Sequence, residues 1–570
     1  MAELQRLLVD ARPLDHPTAR QRGIGRYTLG LLNGLHEIGA PVVAMYERDT
    51  EAVLLAEAVP GLALERWSPQ AVRRHTADGT WYLATQLMLH PIPLDPVPRI
   101  ITDAALPVAA VMYDVIPERY PEQYQQRPTA RAQVRLRGML SRTLDALLAI
   151  SRFAADTAAD ELHFPRDRIR VIGAGVESQF TPPVGDPWSR LHRVLLRDER
   201  RLVVAVAGGD ARKNTHRLLQ AWGALPTAIR TSHRLVVLGA HEPSVLSQWH
   251  SWAAEAGIAD GVCFTGAVTD DEMVAVHQAA ALAVMPSTEE GFGLPVLEAA
   301  ACGCPVICSG VSSLPEVLDE PEAEFDPYRS GAIAAAIERA LTDEDHRDLL
   351  RAAGRRAVQR CTWSNTARSV IQALTELGPR QPRSLRMVPR RLALAGRFDQ
   401  SPLGTANTLV AEALGRQPDA PQVHLLVDGT SSPEPTAAGA RRFPIRALGR
   451  FLHPSMFDHV VAVLGDADDH VATAALVSRH PAHLWLRASA CDPANLAPLL
   501  ANARSLIVPT EGDASAIRDS LAADIPVLVL PPPSGTPQSA DAVGRALLDW
   551  LDTTDRLPTS TLQHTWRDGV

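Results

Sequence analysis

Doubly wound α/β sheets are the fold class this sequence predicts: two Rossmann-like domains facing a cleft, then a third, partial Rossmann-like α/β domain. Three observations carry that expectation. The chain has 570 residues, too many for one hydrophobic core and enough for about three domains of ordinary size. Short apolar runs alternate with helical patterns along most of it, as parallel strands joined by crossover helices require. The last third also restarts the pattern of the first.

In residues 1–183, LQRLLVDARP reads as a buried strand, followed by a loop at Arg22–Gly25 and a helix through YTLGLLNGLHEIG. This is how a βα unit begins. Strand-like runs recur at PVVAMY, VAAVMYDVI and ALLAIS, and a proline-rich break starts at Phe180. Residues 184–378 form the second domain, with strand-like runs RLVVAVAGG, HRLVVLGA, GVCFTG, ALAVMPS and CPVICSG, ending near the helix after Trp363. Residues 379–391, rich in proline and arginine, read as a linker. In residues 392–570, RLALAGRFDQSPLGTANTLVAEAL echoes the start of the chain, and ARSLIVPTEGDASAIRDSL echoes DALLAISRFAADTAADEL. Fewer than forty residues follow Pro533, so this region is expected to be a truncated, non-catalytic repeat of the first domain without a partner domain.

Composition narrows the function. The formal net charge of −9 argues against nucleic-acid binding, which calls for a basic domain. The start MAELQRLLVDARP does not read as a secretory signal, and no apolar run approaches the ~20 residues that span a bilayer. Six cysteines without zinc-ligand spacing suggest a cytoplasmic protein with reduced thiols. Of 56 basic residues, one, Lys213, is a lysine; a lysine kept among arginines suits a site that needs a compact ammonium.

The most informative segment is Met285-Pro-Ser-Thr-Glu-Glu-Gly-Phe-Gly-Leu-Pro-Val-Leu-Glu-Ala. A strand ends, a loop with Gly291 and Gly293 lets a ligand approach the backbone, and Pro295 suits a helix's first turn. Unpaired amides around Gly293, Leu294 and Val296 would favour an anion such as a diphosphate. Glu290 and Glu298 could then accept hydrogen bonds from hydroxyls on either side of it. Gly208-Gly-Asp-Ala-Arg-Lys-Asn-Thr-His adds two cations between a strand and a helix, Arg212 as a planar fork and Lys213 as a point charge.

The string EGFGLPxxE, with two glutamates separated by seven residues, resembles the signature of the retaining GT-B glycosyltransferases of family 4, over residues 5–378. Similarity extends to mannosyltransferases of surface-polysaccharide synthesis and to CGCPVICSGVSSLPEV, with Glu316. The resemblance implies that Glu290 contacts the transferred sugar, Glu298 the ribose, and Lys213 with Arg212 the diphosphate. Many relatives place a second arginine several residues before the lysine, where glycines including Gly209 stand here. RGIGRYT resembles the family's glycine loop near donor and acceptor, which makes Gly25, with Gly209, Gly291, Phe292, Gly293 and Leu294, a donor-binding candidate; a simple turn is the competing reading for Gly25. Tyr113 stands where many relatives have histidine before Asp114. Asp114 joins the catalytic set by resemblance, and Tyr113 and Ser151 line the expected sugar and acceptor pocket, with packing at a strand end equally open for Tyr113.

The implied activity is metal-independent, cofactor-free transfer of a hexose, mannose from GDP-mannose by subfamily resemblance, to a glycan or glycolipid hydroxyl with retained configuration. The alternative is a nucleotide-binding pseudo-enzyme or scaffold in a glycan-assembly complex. Arg127, Arg131, Arg135, Arg137 and Arg142 lie in a basic helix that could touch anionic lipid at the inner face of the plasma membrane, though a solvated face explains them too. Asp466-Ala-Asp468 mimics a metal-binding Asp-x-Asp but lies away from the donor motifs. Cys302, Cys304 and Cys308 read as small apolar packing.

Overall fold

The computed structural model of the protein describes residues 4–14, 23–88, 96–191, 199–239, 242–380, 391–399, 401–417, 420–427, 441–445, 457–464, 473, 482–486, 503–520, 525–531, 533 and 536–554. The first domain holds strands β1 (Arg6–Asp10), β2 (Val42–Tyr46), β3 (Leu64–Arg66), β4 (Thr80–Ala84), β5 (Val108–Met112), β6 (Ala146–Ala149) and β7 (Ile169–Val171). They form one sheet in the order β3-β2-β1-β4-β5-β6-β7, every pair parallel. β4, β5 and β6 are buried along their whole length, as strands covered on both faces must be. The sequence reading overlooked β4, whose five residues TWYLA are too short and mixed for periodicity to single out. It also overlooked the edge strands β3 and β7.

The second domain repeats this plan with β8 (Arg201–Val206), β9 (His233–Leu238), β10 (Val262–Phe264), β11 (Ala280–Met285), β12 (Val306–Ser309) and β13 (Glu324–Phe325), in the order β10-β9-β8-β11-β12-β13. In each sheet the strand order reverses beside the first strand, between β1 and β4 and between β8 and β11. A crevice opens there at the carboxyl ends of doubly wound sheets.

The two domains belong to one compact unit, joined in part by the helix Trp363–Leu377. It comes last in the second domain's sequence yet packs on helix Gly23–Glu37 of the first. A side chain at Gly34 would meet the Trp363 carbonyl oxygen at 2.3 Å, and one at Gly30 would meet the Trp363 ring at 2.1 Å. Small residues on one helical face allow this approach. Tyr27 stacks edge-on against Trp363 with centroids 5.0 Å apart, and Arg168 closes the helix end through Nη1 to Leu377 O at 2.9 Å and Nη2 to Gly378 O at 2.6 Å.

A second compact unit consists of Trp67–Thr76, Val97–Ala105 and the chain from Leu385. Its strands β14 (Arg391–Gly396), β15 (Gln422–Val427), β16 (Arg441–Pro444), β17 (His459–Leu464), β18 (Ala482–Leu486), β19 (Ala503–Val508) and β20 (Val527–Val529) run β16-β15-β14-β17-β18-β19-β20, the order of the first sheet. Along β14, Leu392 and Leu394 enter one core while Ala393 and Ala395 enter the other, the period-two alternation of a sheet covered on both faces. Ion pairs Arg73–Asp458 and Arg391–Asp103 lie within this unit. Asp466, Asp468, Cys491 and residues 381–390 of the expected linker lie outside the described residues.

Candidate active site

The site grows from the turn after β8. The Asp210 side chain accepts from the Arg212 amide at 3.1 Å and caps the single 3-10 turn Ala211–Lys213. Asn214 follows in the left-handed conformation at φ 58°, held by Nδ2 bonds to Pro286 O at 3.0 Å and Pro327 O at 2.8 Å. The turn thereby brings two cations to the loop after β11. Lys213 Nζ lies 2.6 Å from Glu290 Oε1, and Arg212 Nη1 lies 2.9 Å from Glu290 Oε2 and 3.0 Å from Glu289 O. Burial pushes the Glu290 carboxyl up, but the charges of Lys213 and Arg212, with hydrogen bonds from Lys213 and Ser287, overrule it and bring it down to about 2. Glu290 is therefore a carboxylate at any physiological pH.

The loop Gly291–Gly293 leads into helix Leu294–Ala301. Gly293 caps it at φ 112°, a conformation that disfavours other residues. Ser313 Oγ donates to Glu290 O at 2.8 Å and Phe292 O at 2.9 Å, which fixes the loop from below. The Val296 amide is not free as expected: it donates to Gly293 O at 3.0 Å, because the first turn tightens to an i to i+3 bond. Among the described residues, the Gly293 and Leu294 amides find no acceptor.

Glu298 lies in this helix and is buried. Arg26 of the first domain reaches it, Nη2 to Oε1 at 2.8 Å, while forking onto Glu177 at 2.8 and 2.7 Å. Burial dominates and raises the Glu298 carboxyl to about 7; Arg26 opposes the rise, and Glu177 and Asp270 add to it.

On the facing domain, β5 ends in Tyr113 and Asp114. The Tyr113 phenol is buried, its ionisation pushed up chiefly by burial, and its ring meets Tyr27 edge-on at 5.2 Å. Asp114 is half-buried and accepts from the Ile116 amide at 3.1 Å. Gly291 sits against this strand end, where a Cβ would stand 2.2 Å from Tyr113 O. Ser151 Oγ donates to Gly291 O at 2.7 Å and accepts from Ala154 N at 2.9 Å. Thus Tyr113, Asp114, Ser151 and Gly291 meet at one place, next to the cluster of Lys213, Arg212 and Glu290.

One candidate sits differently from expectation. Gly25 is not in a loop: helix Gly23–Glu37 begins before it, because the buried face of Tyr27, Leu31 and Leu35 extends helical contact toward the amino end. Arg22 lies outside the described residues. Gly209 is exposed and lies beside Val245, with a Cβ position 3.3 Å from Val245 Cγ2. The sequence reading also missed Arg26, although it lies within RGIGRYT, and the pairing of Glu289 and Asp210 with the tyrosines of PERYPEQY. Cys302, Cys304 and Cys308 are buried, and burial pushes the Cys302 thiol up to about 12.

Residues 190–357 match the family described as Glycosyl transferases group 1. The serotype-specific mannosyltransferase WbdA of Escherichia coli is 32% identical over 280 residues, 48% of this chain and 34% of that one. The O-antigen chain mannosyltransferase B of Escherichia coli is 31% identical over 230 residues, 40% of this chain and 59% of that one. The chain thus spans about a third of WbdA. The solved structure of Anabaena Alr3699/HepE in complex with UDP and glucose superposes with a TM-score of 0.52 at 17% identity, covering 65% of this chain and 100% of that one. With two parallel Rossmann-like sheets meeting at their carboxyl ends, the fold is that of the two-domain GT-B glycosyltransferases.

Proposed function

We propose that the protein transfers a hexose from a sugar nucleotide to a glycan or glycolipid hydroxyl, with retained anomeric configuration and without a metal. The observation that carries this reading is the convergence of Lys213 and Arg212 on Glu290 at 2.6 and 2.9 Å, beside the Gly293 and Leu294 amides, which find no acceptor among the described residues. An incoming diphosphate would draw on the two cations and the helix start. Glu290 would turn to the sugar hydroxyls and Glu298 to the ribose, Arg26 yielding one bond. The acceptor oxygen bonds to the anomeric carbon on the face from which the diphosphate leaves. The carbon–phosphate-oxygen bond breaks, and the acceptor proton passes to the departing phosphate oxygen. Negative charge grows on the diphosphate, where Lys213, Arg212 and the amides stabilise it. The mannosyltransferase names of the relatives favour mannose, and the family resemblance of the sequence favours GDP-mannose as its donor.

A lipid-linked acceptor would suit helix Pro128–Ser141, which contains no Asp or Glu. Arg131, Arg135 and, just beyond it, Arg142 are exposed beside Leu136 and Met139, 38% and 67% exposed. Arg137 does not join them: it turns inward and forks onto Glu118 at 2.8 and 2.7 Å. No described helix is long and apolar enough to cross a membrane. The region from residue 392 carries no counterpart of Lys213 or of the Glu290–Glu298 string, and we assign it a non-catalytic role in partner recruitment, acceptor holding or stability.

Calorimetric titration and thermal shift with GDP, UDP, ADP and their sugar conjugates test this reading. Selective binding of one nucleotide, lost in Glu298→Ala, together with transfer from its sugar conjugate, supports it. Binding without transfer favours the pseudo-enzyme or scaffold, and no binding at all defeats the donor site.

A further inference from the structure

The segment after β5 folds into two single turns, Ile116–Arg119 and Pro121–Tyr124. Two phenols on it reach the second domain: Tyr120 OH donates to the Glu289 carboxylate, and Tyr124 OH donates to the Asp210 carboxylate. Arg119 Nε supports the first contact at 3.3 Å from Glu289 Oε1. Burial, then the hydrogen bond and charge of Glu289, push the Tyr120 phenol up to about 12, so it stays a donor.

Both acceptors border the cation cluster. Asp210 Oδ2, the oxygen that takes Tyr124, also takes Arg212 Nε at 3.1 Å. On the opposite edge of the guanidinium, Nη1 is held by Glu289 O and Glu290 Oε2. Among the described residues, Nη2 has no protein partner, and it is the donor left for a ligand. Asp210 without its phenol would carry its full charge beside Arg212 and hold the guanidinium back from the extra charge that develops on the departing diphosphate during transfer. A phenol donating to the shared oxygen disperses that charge.

We propose that Tyr124, assisted by Tyr120, is a positioning residue: it couples approach of the first domain to the aim of Arg212 at the donor diphosphate. The proposal rests on the sugar-transfer reading. It assigns a function to PERYPEQY that neither domain performs alone, because nucleotide is held by the second domain and the phenols come from the first. Closure would then exclude water from the cleft and set the charge balance in one movement.

Tyr124→Phe and Tyr120→Phe in the full chain keep the rings and remove the donors. The expected result is nucleoside-diphosphate affinity within about twofold of wild type, with kcat about tenfold lower in Tyr124→Phe, the size expected for one hydrogen bond to a charged group. A second readout needs no turnover. The amides of Arg152 and Phe153 donate across the same cleft to Glu316, each at 2.8 Å, and their hydrogen exchange should accelerate in the double variant. Unchanged kcat with unchanged exchange overturns the proposal. So does a parallel loss of affinity, kcat and melting temperature, which marks a merely structural role. A wild type that transfers no sugar from any donor sinks the sugar-transfer reading instead, and the exchange comparison then decides the latch alone.

Discussion

Lys213 Nζ stands 2.6 Å from Glu290 Oε1, so the chain's one lysine joins the turn after β8 to the loop after β11. Its removal leaves Glu290 paired with Arg212 at 2.9 Å, so the buried carboxylate keeps a counter-ion. Lys213→Ala is therefore expected to melt within a few degrees of wild type while kcat falls by about 10²–10³, the cost of removing one group that stabilises transition-state charge. Initial rates and melting curves on the same preparations check this, and normal transfer by the variant removes Lys213 from the mechanism.

Glu298 gives a pH dependence with a definite sign. Its folded carboxyl is raised from 4.5 to about 7, first by burial, so between those values the folded state holds the proton more tightly than the unfolded chain. Its contribution to stability is complete below about pH 4.5 and declines as pH rises through about 7. Glu298→Gln should flatten this limb, recovering up to about 3 kcal/mol above pH 7. Glu290 acts in the opposite direction: lowered to about 2, it loses its contribution as pH falls from about 4.5. Denaturant midpoints of wild type and Glu298→Gln across about pH 2–8 separate the two limbs, and parallel profiles above about pH 4.5 reject the assignment of the upper limb to Glu298.

How much was legible in advance follows from the length scale of each signal. The strands β1, β5, β8 and β11 are continuous apolar runs, and each announces itself. β4 does not, since five residues bounded by the Asp78-Gly79 turn carry no period. EGFGLPxxE concentrates the donor-side residues in one string, so Glu290 and Glu298 could be singled out. Arg26 and Glu177 stand 151 residues apart and Tyr124 and Asp210 stand 86 apart, and no local pattern links such partners. The helix start at Gly23 was obscured by two glycines that read as a turn, although the buried contact of Tyr27 with Trp363 decides the helix.

The exposed apolar side chains on helix Pro128–Ser141 lead to a membrane prediction. Met139 is 67% exposed, near the exposed Arg135 and Arg142 on a helix that contains no Asp or Glu. Met139→Glu should reduce sedimentation with vesicles rich in anionic lipid, and Arg131→Glu with Arg135→Glu should abolish its salt-sensitive part, at roughly 1 kcal/mol per basic residue. Transfer to a water-soluble acceptor should be unaffected. Equal sedimentation by wild type and variants would return this face to ordinary solvation.

Gly291 tests whether contact between the domains is needed for turnover. A methyl group there would lie 2.2 Å from Tyr113 O and 3.4 Å from Asp114 Cβ, and the first obstacle is backbone that cannot rotate aside. Either the loop shifts, which carries Glu290 with it, or the domains part. In both cases Lys213 and Arg212 remain in the second domain with the helix start, so a nucleoside diphosphate still finds its cations. Gly291→Ala should therefore keep nucleotide affinity within about threefold while kcat falls by about 10²-fold or more, the penalty for misplacing reacting groups by an ångström. Calorimetry against the nucleotide and single-turnover transfer from its sugar conjugate measure the two effects separately. Wild-type transfer by this variant would mean that the close approach of Gly291 to Tyr113 is not part of the reacting state.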